Sequence, residues 1–440
     1  MNFLEKLFTK NSPKPNNKAA FDFLDHCHKN CEKWFENDYQ SLSPEATRQA
    51  AQYVEQFGLE KNSNFFNLLP ELKEAIAHYF QSCQIKCAAN NIIVQVGIFE
   101  LLQDLYQNIG IKKNEKILFA LPISGYFIQQ CHDNEIAVEF LNTDAQNGWK
   151  IDFAQLENIL KNHKIKVLFL NYPSPTSGAV LSQSDVLALA EIIKQYPNLL
   201  VISDESLREL FVNKNRSVFS LAALEDIAAQ IITISNLKCY GLDNLDIAFA
   251  CLNQQNIIDA LHRPQINISY TNQYIAIGAL KASEDSQKHL AEMIAQCQQN
   301  FDVVTEELKI INENLSQKFG KKDDFIKSMN NELPISNSIL LQFAGLKGSK
   351  GEIGNKTLET DLDMAEFLKQ EAGIAMMPGQ CSLLPKEEMI LRLYLLKSKQ
   401  ELQAGFKKIN QALLQLKTLS HNIAVRKSSK LSSKESDKTR

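Results

Sequence analysis

The sequence predicts an α/β protein: a large domain with a seven-stranded, mostly parallel sheet between helices, followed by a smaller α+β domain. Short apolar runs alternate with helix-length stretches through the middle of the chain, which is typical of strand–helix–strand crossovers. A long helical stretch, from about Thr271 to Lys318, then separates these runs from a second set of strands and helices. With 440 residues, 44% of them apolar and 22% charged, the chain is long enough for one or two sizeable cores.

Seven apolar runs have the length and composition of strands in one sheet: Ile92–Val96, Lys116–Leu121, Val138–Leu141, Val167–Asn171, Leu199–Ser203, Ile231–Ser235 and Ile247–Cys251. After the fourth run, Ser182 is followed by Asp185 and then by apolar residues at helical spacing. A serine cap with an acidic residue three positions later marks the start of a helix. The helix between two strands predicts a parallel crossover.

The regions outside this sheet divide into a flexible N-terminal arm (1–18), an N-terminal helical segment (19–75) that belongs partly to the small domain, and a C-terminal part. We place the large domain at 76–325, the small domain at 326–420 and a disordered basic tail at 421–440. The N-terminal segment contains predicted helices at Phe21–Phe35, Ser43–Phe57 and 69–80. The small domain contains these predicted elements: strand Ile339–Phe343, helix Asp361–Glu371, strands Ile374–Met377 and Met389–Leu396, and helix Lys399–Leu416.

Charge and composition exclude several classes of protein. The net charge is −4, but the last 20 residues carry six basic and two acidic residues and few apolar ones. A solvated end explains such a tail better than nucleic-acid binding does. No apolar run approaches the roughly 18 residues of a membrane span, and the N-terminus lacks a secretory signal. We therefore expect a cytoplasmic protein that binds neither nucleic acid nor membrane.

The nine cysteines are scattered and odd in number, which favours reduced thiols over a disulfide framework. Two pairs, Cys27 with Cys31 and Cys83 with Cys87, have a four-residue step that would put both thiols on one face of a helix. This is not the two-residue step of common zinc sites. We interpret both pairs as small buried residues and predict no metal site.

Two charged residues follow neighbouring strands of the predicted sheet. Lys238 lies just past Ile231–Ser235 among small and polar residues, and Asp204 follows Leu199–Ser203. Open α/β sheets bind their ligands beyond the carboxyl ends of the strands, so both side chains are expected at one binding edge. Considered singly, Lys238 would be a solvated surface lysine and Asp204 a helix-capping residue.

Four segments together resemble the class I/II aminotransferases of pyridoxal phosphate fold type I, in order and in separation: Asn171–Gly178, Ser203–Glu205, Ser235–Gly241 and Leu391–Leu393. The resemblance runs from about Leu69 to Leu416. Within the family, Asp204–Leu210 and the stretch from Asn267 are most similar to the histidinol-phosphate aminotransferase branch. The resemblance implies pyridoxal 5'-phosphate as the cofactor, an amino acid and a 2-oxo acid as substrates, and a homodimer.

The resemblance also implies catalytic roles for two residues. Lys238 would form the Schiff base with the cofactor and move protons at the substrate Cα, which requires a near-neutral amine. Asp204 would pair with the pyridine nitrogen and keep the ring an electron sink. Arg392 matches the arginine that binds the substrate carboxylate; an ordinary internal ion pair is the alternative for it.

Further cofactor contacts follow from the same resemblance. Gly97, Ile98 and Phe99 open a helix after a strand, where free N–H groups suit a phosphate, although a glycine before a helix is usually just a turn. Ser235 matches a hydroxyl that contacts the phosphate, and Ser174 stands where relatives carry an asparagine in the proline-rich turn.

Several positions depart from the family pattern. Asp246 stands where relatives carry an arginine on the cofactor phosphate, and a carboxylate there would repel the phosphate. Arg263 is the alternative arginine for this contact. Leu207 replaces a tyrosine that contacts the cofactor 3-oxygen. Ser124 replaces an aromatic that stacks on the ring, unless Tyr126 or Phe127 takes its place, and Leu68 replaces a glycine.

Three functions are compatible with this pattern. The first is an aminotransferase that works through Lys238 by a ping-pong route. The second is a catalytically silent relative that keeps the fold as a binding module, which Asp246 and Leu207 favour. The third is a lyase or decarboxylase on the same fold, which would use the same lysine and aspartate.

Overall fold

The helices and strands below come from a computed structural model, which describes residues 18–27, 31–34, 44–57, 66–211, 218–242, 245–262, 265–281, 283–330, 337–351 and 356–417. The helices in these ranges are α1 Lys18–His26, α2 Pro44–Phe57, α3 Pro70–Ser82, α4 Gly97–Asn108, α5 Gly125–Asp133, α6 Phe153–Asn162, α7 Gln183–Lys194, α8 Gln255–Leu261, α9 Tyr270–Lys281, α10 Ser283–Phe319, α11 Asp361–Ala372 and α12 Lys399–Leu413. The strands are β1 Glu32–Lys33, β2 Phe66–Asn67, β3 Ile92–Val96, β4 Lys116–Ala120, β5 Ala137–Leu141, β6 Ile165–Asn171, β7 Leu200–Asp204, β8 Ile231–Asn236, β9 Ile247–Leu252, β10 Gln265–Ile266, β11 Lys327–Ser328, β12 Ser338–Gln342, β13 Ile374–Ala375, β14 Met377–Pro378 and β15 Ile390–Tyr394.

The chain forms two units. The larger unit takes the described residues of Asp38–Gln298 and Glu332–Ser338, and the smaller unit takes those of Met1–Asn37, Gln299–Asn331 and Ile339–Arg440. The predicted arm at 1–18 lies outside the described residues except for Lys18, the first residue of α1, and the predicted tail at 421–440 lies outside them entirely. No helix among the described residues is both long and apolar enough to cross a membrane.

The seven-stranded sheet of the larger unit has the strand order β3-β9-β8-β7-β6-β4-β5. Neighbouring strands from β8 to β5 run parallel, while β9 runs antiparallel to both β3 and β8. The prediction of seven strands in a mostly parallel sheet is therefore confirmed. Because helices cover a parallel sheet on both faces, its strands consist of nearly continuous apolar residues, which is why they were detectable in the sequence.

Helices pack against this sheet in two apolar clusters. Residues of α3, α9, β3 and β9 form one cluster, which includes Leu72, Phe80, Val94, Phe249 and Ile277. Residues of α6, α7 and the strands β4, β6 and β7 form the other. The Ser182 hydroxyl accepts a hydrogen bond from the Asp185 N–H, and the Asp185 side chain bonds back, so α7 begins with the predicted capping box.

A four-stranded sheet, in the order β11-β12-β15-β14, organises the smaller unit. The predicted strand Ile374–Met377 is divided there into two short strands, of which β14 pairs with β15 and β13 pairs with β1. The helix α11 begins at a Thr360 cap and ends at Gly373, whose φ is 70°.

The predicted helix Phe21–Phe35 was wrong in its second half. The helix α1 ends at His26, and Glu32–Lys33 instead pairs in parallel with Ile374–Ala375. The N–H of Trp34 donates to the Ala375 carbonyl at 2.8 Å, and the Trp34 side chain is fully buried. Pairing with a strand more than 300 residues away overrides the local helical pattern, and the sequence carries no signal of this partner.

Candidate functional site

Polar side chains end three adjacent parallel strands of the larger unit. Asn171 ends β6, Asp204 ends β7, and Asn236 ends β8. Asn171 and Asp204 are direct neighbours in the sheet, and the Asn171 Nδ2 donates to the Asp204 carbonyl at 3.5 Å. Because all three strands run in the same direction, these groups meet at one edge, where parallel sheets bind their ligands.

Hydrogen bonds connect Asp204 to the segment that carries Lys238. The N–H and the hydroxyl of Ser206 both donate to Asp204 Oδ1, at 3.0 and 2.5 Å. The Asn236 Nδ2 donates to the Ser206 hydroxyl at 3.1 Å, and Asn236 Oδ1 accepts the N–H of Lys238 at 3.0 Å. The Asp204 carboxylate is therefore held in one orientation by a chain of side chains that ends at the lysine.

Burial dominates the electrostatics of Asp204, whose side chain is only 3% exposed. Loss of solvation raises its pKa from 3.8 to about 6, although the hydrogen bonds from Ser206 and the positive charge of Lys238 lower it. A carboxylate that is ionised above this pH while buried is stabilised by a cation beside it. The protonated nitrogen of a pyridine ring would be such a cation.

Lys238 projects from a tight turn just beyond β8. It starts the short helical turn Lys238–Tyr240, which Gly241 terminates with a φ of 73°. Its neighbours Leu237 and Cys239 are buried, whereas the Lys238 side chain is exposed. The turn thus holds the amine at the open side of the sheet edge, within the electrostatic field of Asp204.

Ser235 and Gly97 are the residues predicted to contact the phosphate end of the cofactor. The Ser235 side chain is 1% exposed, and its hydroxyl has no hydrogen-bond partner among the described residues. Gly97 opens α4 with a φ of 77°, a conformation that favours glycine. Its own N–H donates to the Asp246 carbonyl at 2.6 Å, which leaves the N–H groups of Ile98 and Phe99 as donors at this helix terminus.

Two acidic residues flank this helix terminus. The contact between its carbonyl and Gly97 places Asp246 beside the first residue of α4, and its side chain is exposed. Glu100 lies in the first turn of α4, where a Cβ added to Gly97 would be 3.1 Å from Glu100 Oε2. Asp246 was identified from the sequence, whereas Glu100 was missed. The signal that could have identified Glu100 is its position, an acidic residue in the first turn of the helix that is predicted to contact the phosphate.

The two electrostatic effects at this terminus oppose each other. The helix dipole stabilises an exposed anion by about 0.3–1 kcal/mol. A carboxylate roughly 4 Å from a unit negative charge destabilises it by about 4 kcal/mol at an effective dielectric of about 20. A carboxylate that comes this close to a bound anion therefore opposes the stabilisation by the helix dipole, and solvent screening reduces both effects.

The remaining residues at the predicted cofactor site lie in surroundings that are typical of structural residues. Ser174 is buried, and its hydroxyl accepts the N–H of Ser177 at 3.1 Å. Leu207 is 6% exposed, and Ser124 is the N-cap residue of α5. The sequence did not reveal that Phe99 is 42% exposed or that its ring lies 6.0 Å from the ring of Tyr126.

Glu205, which adjoins Asp204, has a separate role. Its carboxylate accepts hydrogen bonds from Ser203 at 3.1 Å and Ser220 at 2.6 Å, and it forms a buried ion pair with Arg208. Asp204 is therefore the carboxylate that faces Lys238, while Glu205 anchors the loop after β7.

Arg392 lies in the smaller unit, in the middle of β15. It is 9% exposed, its Nη2 donates to the Met377 sulfur at 2.7 Å, and its guanidinium lies 5.2 Å from the centre of the Tyr394 ring. These contacts leave the role of Arg392 in carboxylate binding as a prediction.

No group of three or more potential metal ligands occurs among the residues that the structure describes. The nine cysteines are free thiols, and seven of them are buried. Burial raises the pKa of the Cys83 thiol to about 11, which is a property of a core residue.

The two ends of the site differ in how well they suit pyridoxal 5'-phosphate. At the ring end, buried Asp204 and exposed Lys238 complement a pyridine nitrogen and an aldehyde. At the phosphate end, the orphaned Ser235 hydroxyl and the start of α4 offer donors, but Glu100 and Asp246 add negative charge. The described residues therefore fit the pyridoxal ring and do not complement the charge of its phosphate.

The chain is similar in sequence to known proteins. The family model described as aminotransferase class I and II matches residues 29–409. An aspartate aminotransferase of Bacillus sp. (strain YM-2) is 28% identical over 224 residues, which cover 50% of this chain and 56% of that protein. An asparagine–oxo-acid transaminase of Streptococcus mutans is 26% identical over the same shares of the two chains. The chain thus spans 56% of the length of these two relatives.

Solved structures share the fold over more of the chain. The crystal structure of an aspartate aminotransferase from Rhizobium meliloti has a TM-score of 0.75 at 19% identity, covering 95% of this chain and 99% of that one. An aromatic aminotransferase from Pyrococcus horikoshii OT3 has a TM-score of 0.71 at 18% identity, covering 90% and 98%. At this level of identity the structural likeness establishes the fold alone.

Proposed function

Because the chain belongs to the class I and II aminotransferase family, we propose that it transfers an amino group between an amino acid and a 2-oxo acid. It would do so with a pyridoxal cofactor bound through Lys238, and pyridoxal 5'-phosphate is the form that its family generally uses. The observation that carries this proposal is the buried Asp204 carboxylate at the end of β7, within the electrostatic field of the Lys238 amine.

The residues of the ring end have distinct roles in this proposal. When bound, the cofactor supplies a pyridine ring that accepts the electrons released as the substrate Cα loses a proton. Asp204 would hold a proton on the ring nitrogen, and Ser206 keeps Asp204 oriented through two hydrogen bonds. Lys238 would hold the aldehyde carbon and move the proton at the substrate Cα, because its exposed amine can act as both nucleophile and base there.

Substrate and assembly are further parts of the proposal. The names of the relatives support aspartate and asparagine as the first amino donors to test. We assign the substrate carboxylate to Arg392, a buried arginine whose guanidinium can bind a carboxylate in two-point fashion. A homodimer, a cytoplasmic location and domain boundaries near residues 76, 326 and 420 complete the proposal.

Labelling of Lys238 tests this function. Incubation with pyridoxal or pyridoxal 5'-phosphate, reduction with borohydride and peptide mass mapping should place the label on Lys238. The variant Lys238→Ala should lose the label, while the control Lys161→Ala, which removes an exposed lysine on α6, should keep it. In a separate sample that is not reduced, conversion of the bound aldehyde by an amino acid into the amine form of the cofactor would identify the donor.

A catalytically silent binding protein is the second candidate, and Glu100 and Asp246 favour it because they oppose the phosphate. Absence of label on Lys238 with both aldehydes at saturating concentration would refute the aminotransferase proposal and support this alternative. A lyase or decarboxylase would label Lys238 as well, and it differs by releasing carbon dioxide or an amine rather than passing the amino group to a 2-oxo acid.

A further inference from the structure

The cofactor site is acidic where its family binds a phosphate. We use the name acidic cup for Gly97, Glu100 and Asp246 at the start of α4. The Asp246 carbonyl accepts a hydrogen bond from the Gly97 N–H at 2.6 Å, and a Cβ added to Gly97 would lie 3.1 Å from Glu100 Oε2. Neither carboxylate forms an ion pair with another described residue. The negative charge of the cup is therefore not neutralised within that part of the chain.

The other groups at this end can accommodate a neutral ligand. Phe99 is 42% exposed and Ile98 is half-buried, so the first turn of α4 presents apolar surface beside the carboxylates. The buried Ser235 hydroxyl has no partner among the described residues, and it can donate to or accept from a neutral hydroxyl. A ligand hydroxyl can also donate to a carboxylate, whereas a phosphate oxygen without a proton cannot.

We propose that the acidic cup makes this site select the uncharged 5'-hydroxyl form of the cofactor, pyridoxal, over pyridoxal 5'-phosphate. The proposal rests on the proposed function, in that Lys238 and Asp204 hold the aldehyde and the ring in both cases. Glu100 and Asp246 are then specificity residues: they repel a phosphate dianion and accept a hydrogen bond from a 5'-hydroxyl group.

Binding of alcohol forms of the cofactor isolates recognition at the 5' end. Pyridoxine and pyridoxine 5'-phosphate lack the aldehyde, so their calorimetric affinities report the ring and the 5' group without bond formation to Lys238. For the full-length chain we expect pyridoxine to bind at least about tenfold more tightly than its phosphate, an energy that one unfavourable charge contact readily supplies.

Charge-neutral variants test the assignment to the two carboxylates. In the double variant Glu100→Gln/Asp246→Asn, affinity for pyridoxine 5'-phosphate should rise at least about tenfold, whereas affinity for pyridoxine should not rise, because a neutral amide oxygen is a weaker acceptor for its 5'-hydroxyl than a carboxylate. Asparagine tolerates the φ of 48° at position 246, so this variant should keep the local backbone. The control Glu74→Gln removes an exposed carboxylate from α3 and should alter neither affinity.

Three results would overturn the proposal. Tighter binding of pyridoxine 5'-phosphate than of pyridoxine by the unmodified chain would show that the cup does not repel phosphate. An equal gain for both ligands in the double variant would mean that Glu100 and Asp246 do not discriminate at the 5' end. If neither pyridoxal nor its phosphate labels Lys238, the proposed function fails, and the selectivity fails with it. If both aldehydes label Lys238 and the phosphate form is preferred, the proposed function stands and only the proposed selectivity is refuted.

Discussion

Replacing Asp204 by asparagine should stabilise the ligand-free protein, even though it damages the site. Asparagine keeps an Oδ1 atom that can accept both hydrogen bonds from Ser206, and it removes a charge from a position that is 3% exposed. Sites that hold a buried charge for function commonly lower the stability of the fold, so the loss of the charge should be visible as a gain in stability.

The magnitude follows from the pKa of Asp204, which burial raises from 3.8 to about 6. A carboxyl whose pKa is raised in the folded state favours folding most at low pH, and this advantage is lost as the pH rises through about 6. At about 1.4 kcal/mol per pH unit, ionisation of the buried group lowers the free energy of unfolding by about 3 kcal/mol at pH 8 and by about 1 kcal/mol at pH 4.5. Asp204→Asn should recover most of this energy at pH 8.

Urea unfolding at the two pH values measures the effect. The free energy of unfolding of Asp204→Asn should exceed that of the unmodified chain by about 2–3 kcal/mol at pH 8 and by about 1 kcal/mol at pH 4.5. The control is Asp259→Asn, which changes an exposed aspartate on α8 and should stay within about 0.5 kcal/mol at both pH values. Equal stability changes at both pH values, or a net destabilisation at pH 8, would refute the argument that the buried charge is costly.

Two further substitutions test packing and the orphaned hydroxyl. Gly405→Ala would place a Cβ only 2.1 Å from a ring atom of Trp34, so urea unfolding should show a free energy of unfolding that is lower by about 1–3 kcal/mol. The control Lys407→Ala changes an exposed residue on the same helix and should have almost no effect. An unchanged stability of Gly405→Ala would show that the Trp34 ring moves aside without cost. Ser235→Ala removes a buried hydroxyl that lacks a partner among the described residues, so the thermal stability of the ligand-free protein should stay the same or increase. Calorimetry should show that this variant binds pyridoxine more weakly. Loss of stability with unchanged binding would mean that the hydroxyl serves the fold and not the ligand.

The strands of the large sheet were predictable because each one is buried on both faces. Their continuous apolar residues distinguish them from the surrounding helices, and all seven predicted strands end within one residue of the observed C-terminal end. The same property predicted the placement of Asp204 and Lys238 at one edge, since the carboxyl ends of parallel strands lie together.

The short strands of the smaller unit were not predictable in this way. Two-residue strands such as β1 and β13 carry no period of their own, and only their pairing with each other defines them. The burial of Trp34 against Gly405 is likewise a contact between distant segments, so the helix predicted through Trp34 ended at His26 instead.

The sequence by itself determined the fold class and predicted that Asp204 and Lys238 lie at one edge of the sheet, because the hydrophobic pattern and the positions of these residues after their strands are local properties of the chain. Only the tertiary structure decided the character of the opposite end. It brought the backbone of Asp246 against Gly97, set Glu100 beside the same glycine, and left the Ser235 hydroxyl buried without a partner among the described residues. The physical reason is that electrostatic energy depends on the distance between charges, and that distance is set by how β9 and α4 pack, not by the separation of the residues along the chain.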